Sequence, residues 1–316
     1  MTGKVLPVLP YSWQQSQWQQ LQKLIENERL PHALLLSGCS DIGKLRFARA
    51  LAQQLLCEAP IHAGACGRCK QCALVMAGSH PDLIRLEPEG AGNAIKIAQI
   101  RTVGNFMAKT AQQGGWKVVL IEPAEAMNVS SANALLKNLE EPGDKTLLIL
   151  VSHQLGRIPA TVRSRCRILK FPLPSQDFVT SWLRQVVGDA EDISQLLQVS
   201  GGRPLKALRL VESDALTKRK EFESLLNDVA SGTLSPIKAA DWCRAEDSIE
   251  TVEWLQFNVA ERVRQKPATR EGRLLFRFLD KLNVAKQRLQ SSANPNPQLL
   301  WEELLLDWQA LFAASR

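Results

Sequence analysis

The sequence predicts two architectures in series: an α/β domain built on a parallel sheet, then an all-helical remainder. Three observations carry this. Short, continuous apolar runs alternate with helical periodicity up to residue 171, the pattern of strands joined by crossover helices. One of those runs, 32–37, leads into G-x-x-x-x-G-K at Gly38, Gly43 and Lys44, and a helical stretch follows over 45–52. That strand–loop–helix order is the context of a phosphate-binding loop. After P-L-P-S at 172–175 no strand-like run remains, and helical periodicity continues to the end.

Along the chain, strands are expected at 34–37, 82–87, 116–121, 146–151 and 167–171, and a new helix is capped near Gln176. The stretch 201–204, G-G-R-P, reads as a turn, and 291–297 as the most loop-like segment near the C-terminus. The resulting division is an α/β domain over 1–172, a small helical domain over 173–215 and a larger helical one over 216–316. Trp242, Trp254, Trp301 and Trp308 lie on amphipathic helices, where core packing is the expected role.

The bulk properties exclude some classes. No run of eighteen apolar residues exists, so no membrane span is expected, and residues 1–7 lack the apolar stretch of a signal peptide. A cytoplasmic location is expected. Seven cysteines, an odd number, do not read as a disulfide framework. The formal charge of +7, from 39 basic and 32 acidic residues, suits nucleic-acid contact and an ordinary solvated surface equally well.

The phosphate loop departs from its pattern at one place. Its last position calls for Ser or Thr, whose hydroxyl binds Mg²⁺; here it is Leu45. A second acidic motif is expected after a later strand, to hold the metal and activate water. The run 118–121 is followed by Glu122, a longer acid at the metal position, and by Pro123, which cannot act as a base. Glu125 lies one turn further. Two departures point the same way: a nucleotide-binding fold without complete hydrolytic machinery. The alternatives are an ordinary strand–turn–helix, and acids that only favour a helix N-terminus.

Four cysteines, Cys57, Cys66, Cys69 and Cys72, form two overlapping C-x-x-C steps plus one thiol upstream. That set can close a tetrahedral shell around Zn²⁺ with no open position, hence a structural site. His62 is a spare ligand, and Arg68 and Lys70 offset the thiolate charge. An iron–sulfur cluster and plain structural thiols are the rival readings. Cys39 and Cys243 read as buried or free thiols.

At 132–142 the chain reads A-N-A-L-L-K-N-L-E-E-P, and at 159–166 P-A-T-V-R-S-R-C. With the cysteine cluster after the loop helix and S-H-P-D at 79–82, these strings resemble the bacterial clamp-loader subunits of the AAA+ superfamily, which load a ring-shaped sliding clamp onto primed DNA. The likeness covers the whole α/β domain and continues more weakly through G-G-R-P-L-K-A-L at 201–208 and N-P-Q-L-L at 296–300. It implies an AAA+ domain with a zinc module at 57–72, a helical lid and a helical collar that oligomerises. It implies γ/τ-like ATPase subunits and a delta subunit as partners, with the clamp and primed DNA reached through the complex. It implies that Arg165 of S-R-C acts as an arginine finger on a neighbour's ATP, with Ser164 orienting the turn and Cys166 packing beneath. The roles of Arg163 and Arg167 stay open.

The zinc module, the altered nucleotide motifs and the intact S-R-C together resemble the family's non-motor type, so no intrinsic ATPase activity is expected. Gly38, Gly43 and Lys44 persist, which leaves weak, non-hydrolytic nucleotide binding open. The family's second sensor Arg is absent: Leu205 falls at its place and Arg203 two residues before. The rival functions are an ATP-hydrolysing motor of the same superfamily and a zinc-dependent nucleic-acid-binding module.

Overall fold

The computed structural model describes residues 7–61, 64–90, 94–113, 115–188, 193–212, 215–265, 269–289 and 295–313. His62 and residues 291–294 of the expected loop lie outside them. The chain divides into two compact units, Met1–Gln185 with Gly202–Lys206, and Val186–Gly201 with Ala207–Arg316.

The first unit runs α1 (Gln15–Glu26), β1 (Ala33–Ser37), α2 (Lys44–Leu56), α3 (Lys70–Met76), β2 (Leu83–Leu86), α4 (Ile97–Met107), β3 (Lys117–Ile121), α5 (Val129–Glu140), β4 (Thr146–Ser152), α6 (Ala160–Arg163), β5 (Arg167–Lys170) and most of α7 (Gln176–Val187). All strand pairs are parallel and the sheet order is β2-β3-β4-β1-β5. β1, β3 and β4 are buried along their whole length. This explains their unbroken apolar runs: a parallel sheet is covered on both faces.

The two faces carry alternate residues of each strand. Leu34, Leu36, Val118, Leu120, Leu147 and Ile149 pack with Trp18, Leu21, Phe47 and Leu51 of α1 and α2. Leu35, Val119, Ile121, Leu148 and Leu150 pack with Ile100, Val103, Leu135 and Leu139 of α4 and α5. The five expected strands are all present, and the loop helix runs four residues beyond its expected end, to Leu56. In such sheets, ligands bind at the carboxyl ends of the strands. Gly38, Glu122 and His153 follow β1, β3 and β4 there.

The second unit is helical among the described residues. It holds α8 (Ile193–Ser200), most of α9 (Pro204–Glu212), α10 (Ala215–Ser231), α11 (Pro236–Ala245), α12 (Ser248–Gln265), α13 (Arg270–Leu289) and α14 (Pro297–Ala313). Phe222 of α10 meets Trp242, Trp254 and Trp301, with ring centroids 5.8, 6.1 and 6.1 Å away. Trp308 donates its indole N–H to Leu226 O at 2.9 Å. Trp254, Trp301 and Trp308 are buried as expected, whereas Trp242 is half-buried. Cys243 is buried. No helix among the described residues is long and apolar enough to cross a membrane.

Candidate nucleotide cleft, cysteine centre and arginine turn

The loop after β1 needs both of its glycines. A Cβ on Gly38 would lie 2.3 Å from Phe171 O. Gly43 has φ +87°, and a Cβ there would lie 2.4 Å from the Tyr11 ring. Tyr11 belongs to the segment before α1, which is strapped to the loop. The side chains of Trp13 and Gln14 donate to Ile42 O at 3.0 and 2.9 Å, and Arg46 donates to Leu9 O at 2.7 Å. Tyr11 stacks on Trp13 at 4.4 Å, and Trp182 meets both edge-on.

The loop borders a cleft of about 510 Å³ whose lining includes Tyr11, Gly43, Lys44, Leu45, Arg49, Glu122, His153 and Leu205. Lys44, the phosphate-contacting residue of an intact loop, is 2% exposed. Its ammonium donates to Gly38 O at 2.8 Å and Cys39 O at 2.5 Å, and lies 2.9 Å from His153 Nδ1. An ammonium has three protons and no acceptor. All three are therefore spent inside the protein, and His153 Nδ1 must be the unprotonated, accepting nitrogen. Burial lowers the Lys44 pKa to about 8. Burial, then the Lys44 charge, pushes His153 below the ordinary imidazole value.

Leu45 lines the cleft and packs on the sheet core. It has no oxygen to offer a metal. Burial pushes the Glu122 carboxyl up, and Arg49, which lines the same cleft, is the strongest charge pulling it back. Glu125 accepts the His153 N–H at 2.9 Å, so it fixes the end of β4. Arg203 donates to Ser40 Oγ at 3.2 Å and stands 3.9 Å from the Asp41 carboxylate, while Leu205 donates its N–H to Asp41 O at 3.0 Å. Tyr11, Arg49 and His153 were not singled out from the sequence. No spacing rule links them to the loop, although His153 sits directly after a strand that was.

The four cysteines converge. Cys57 follows α2, Cys66 and Cys69 lie in the loop before α3, and Cys72 sits in the first turn of α3. All four sulfurs lie within 4.8 Å of one another, with Cys57–Cys69 at 3.9 Å and Cys66–Cys72 at 4.0 Å. Four thiolates at about 2.3 Å from one tetrahedral ion would stand roughly 3.8 Å apart, so the donor set and its spacing fit a single metal ion. Backbone N–H groups support the sulfurs: Cys66 N donates to Cys57 Sγ at 3.3 Å and Cys72 N to Cys69 Sγ at 3.4 Å. The N–H of Arg68, above all, holds the Cys66 thiol down at about 6.

The S-R-C residues form the turn between α6 and β5. Ser164 caps α6 and its hydroxyl donates to Thr161 O at 3.1 Å. Cys166 packs against the sheet core, where burial pushes its thiol up to about 11. Arg165 stays half-exposed. Its Nε and Nη2 both donate to Glu140 Oε1, at 2.9 and 2.5 Å, and its Nη1 donates to Thr161 O at 2.9 Å. Arg163 is half-buried and Arg167 exposed.

Residues 13–175 match the family model described as DNA polymerase III, delta subunit, and residues 268–310 match that described as DNA polymerase III, delta subunit, C terminal. The chain is 39% identical to DNA polymerase III subunit delta' of Pseudomonas aeruginosa, over 95% of this chain and 98% of that relative. It is 34% identical to the subunit of the same name from Escherichia coli (strain K12), over 73% of this chain and 70% of the relative. Among solved structures, a gamma subunit-related protein of DNA polymerase III from Thermotoga maritima aligns over 93% of this chain and 99% of its own, at 20% identity and a TM-score of 0.48.

Proposed function

The chain belongs to the delta-prime family of DNA polymerase III, AAA+ clamp-loader subunits, and from that premise we propose that it is the loader's non-hydrolysing member, lending Arg165 to a neighbouring subunit's ATP. The observation that carries the first half is the state of Lys44. All three of its protons go to Gly38 O, Cys39 O and His153 Nδ1, so none is left for a phosphate. Leu45 supplies no metal ligand, Pro123 no base, and Tyr11 presses on the loop at Gly43. Any nucleotide in this cleft would have to displace the Lys44–His153 contact, which favours weak binding or none.

The second half rests on the turn. Arg165 sits half-exposed between α6 and β5, on a scaffold that Ser164 and Cys166 hold. In phosphoryl transfer, negative charge spreads over the γ-phosphate oxygens, and an Arg supplied by a neighbour stabilises it. Cys57, Cys66, Cys69 and Cys72 would hold one structural Zn²⁺, which would tie α2 to α3 without taking part in chemistry.

In this reading, residues 1–172 form the AAA+ domain, 173–215 the lid and 216–316 the collar that assembles with γ/τ-like motors and the delta subunit. The sliding clamp and primed DNA are met through that complex, in the cytoplasm. The test of the non-hydrolysing half is phosphate release by the homogeneous chain. The reading expects no turnover above background, and a rate near about 1 s⁻¹, ordinary for an enzyme, would favour the motor reading instead.

A further inference from the structure

The guanidinium of Arg165 is engaged within its own subunit. Nε and Nη2, the pair of donors best placed to grip a phosphate edge-on, both point at one oxygen of Glu140. Nη1 is turned to Thr161 O, with Ser164 Oγ at 3.4 Å. Contact with an external phosphate through Nε and Nη2 therefore requires that Glu140 let go. Glu140 is the last residue of α5. A carboxylate there faces the negative end of the helix, where a basic residue would be favoured. Helix stability thus gives no reason for an acid at this position, whereas the reach to Arg165 does.

We propose that Glu140 parks the arginine finger: it is a positioning residue that competes with the neighbour's γ-phosphate for Arg165. This rests on the reading of Arg165 as a finger. Both partners are solvent-accessible, with 36% of the Arg165 side chain and 51% of the Glu140 side chain exposed. An ion pair of this kind is weak and reversible. It can hold the finger aside in a loosely assembled ring yet yield to a polyphosphate, which brings more charge. The parked state accordingly suppresses hydrolysis before the ring closes on clamp and DNA. It leaves the stimulated rate nearly untouched, because the phosphate has already won there.

The experiment uses complexes reconstituted with intact motor subunits and carrying Glu140→Gln, Arg165→Ala or both. ATP hydrolysis is measured with and without clamp and primed DNA, after gel filtration confirms assembly. Glu140→Gln keeps size and shape and removes the charge. It should raise the unstimulated rate by about two- to five-fold, the range that an exposed pair commands, and lower the ratio of stimulated to unstimulated rate. In the Arg165→Ala background the same change should do nothing, a dependence that a merely structural role for Glu140 would not produce.

An unstimulated rate that is unchanged or lowered by Glu140→Gln, while Arg165→Ala still depresses the stimulated rate, overturns the parking role and leaves the finger standing. A rise that persists without Arg165 also overturns it. If Arg165→Ala changes nothing, finger and parking fall together.

Discussion

Lys44 is the residue on which the loop turns. A lysine that would grip phosphate is folded back onto its own loop, and His153, 109 positions away, accepts its third proton. The imidazole can do so only while neutral. Its pKa is depressed, so the unfolded chain binds a proton that the folded chain resists. Stability from this contact is therefore present above the unfolded value and is lost as pH falls toward the folded one. Lys44→Met removes the second-largest cause of the depression, and NMR titration of the His153 ring should show its pKa move up. A pKa that stays put would mean that the ammonium is elsewhere. Gly38→Ala forces a Cβ to within 2.3 Å of Phe171 O, a backbone atom that cannot step aside. The expected cost is about 2–3 kcal/mol in chemical denaturation, at the upper end for overpacking, and an unchanged midpoint would refute the close approach. The two glycines and Lys44 were legible because the loop motif is local. His153 and Tyr11 were not, because their neighbourhood exists only once β4 and the segment before α1 have docked.

At the scale of elements, the sheet was readable and its partners were less so. β1, β3 and β4 are buried on both faces, so their sequences are short and apolar except at the end residues Ser37, Lys117, Thr146 and Ser152, which separates them from helices. β2 and β5 carry Arg85, Arg167 and Lys170 in four-residue strands, yet turn signals and position still marked them. The cysteine module is the element whose stability should depend on a ligand. α3 is only seven residues long, too short to persist in isolation, and its N-cap is Cys69 itself. Metal binding and the folding of this segment should then be one event. Cys69→Ser should drop bound zinc from near one equivalent to near none and lower the melting temperature by roughly 3–5 °C, as a loss of about 2–3 kcal/mol would in a protein of this size. Purified chain that is free of metal but equally stable would refute the structural role.

At the scale of the whole molecule, the proposed role divides labour that a motor subunit combines. The sheet places a phosphate loop where nucleotide chemistry would occur, but the loop's cation is internally spent and its metal ligand is missing. The same domain carries Arg165 on a separate turn, half-exposed, and in the proposed role it serves another subunit's nucleotide. The family was legible in long strings such as A-N-A-L-L-K-N-L-E-E-P, because they serve the sheet and the turn together. The link from Glu140 in that string to Arg165 was not, since 25 residues separate them and only α5 and α6 bring them side by side. The most direct test is the ATPase and clamp-loading activity of reconstituted complexes that differ only at Arg165. Fingers of this type are worth on the order of 10³–10⁵ at a single site. Arg165→Ala should therefore silence the one site it serves while assembly stays intact. Because other sites in the ring keep their own fingers, clamp- and DNA-stimulated hydrolysis should fall only in part, and Arg165→Lys should rescue it poorly, since an ammonium cannot reproduce the planar fork. Stimulated hydrolysis and loading equal to wild type in the Arg165→Ala complex would contradict the account and leave the chain a scaffold.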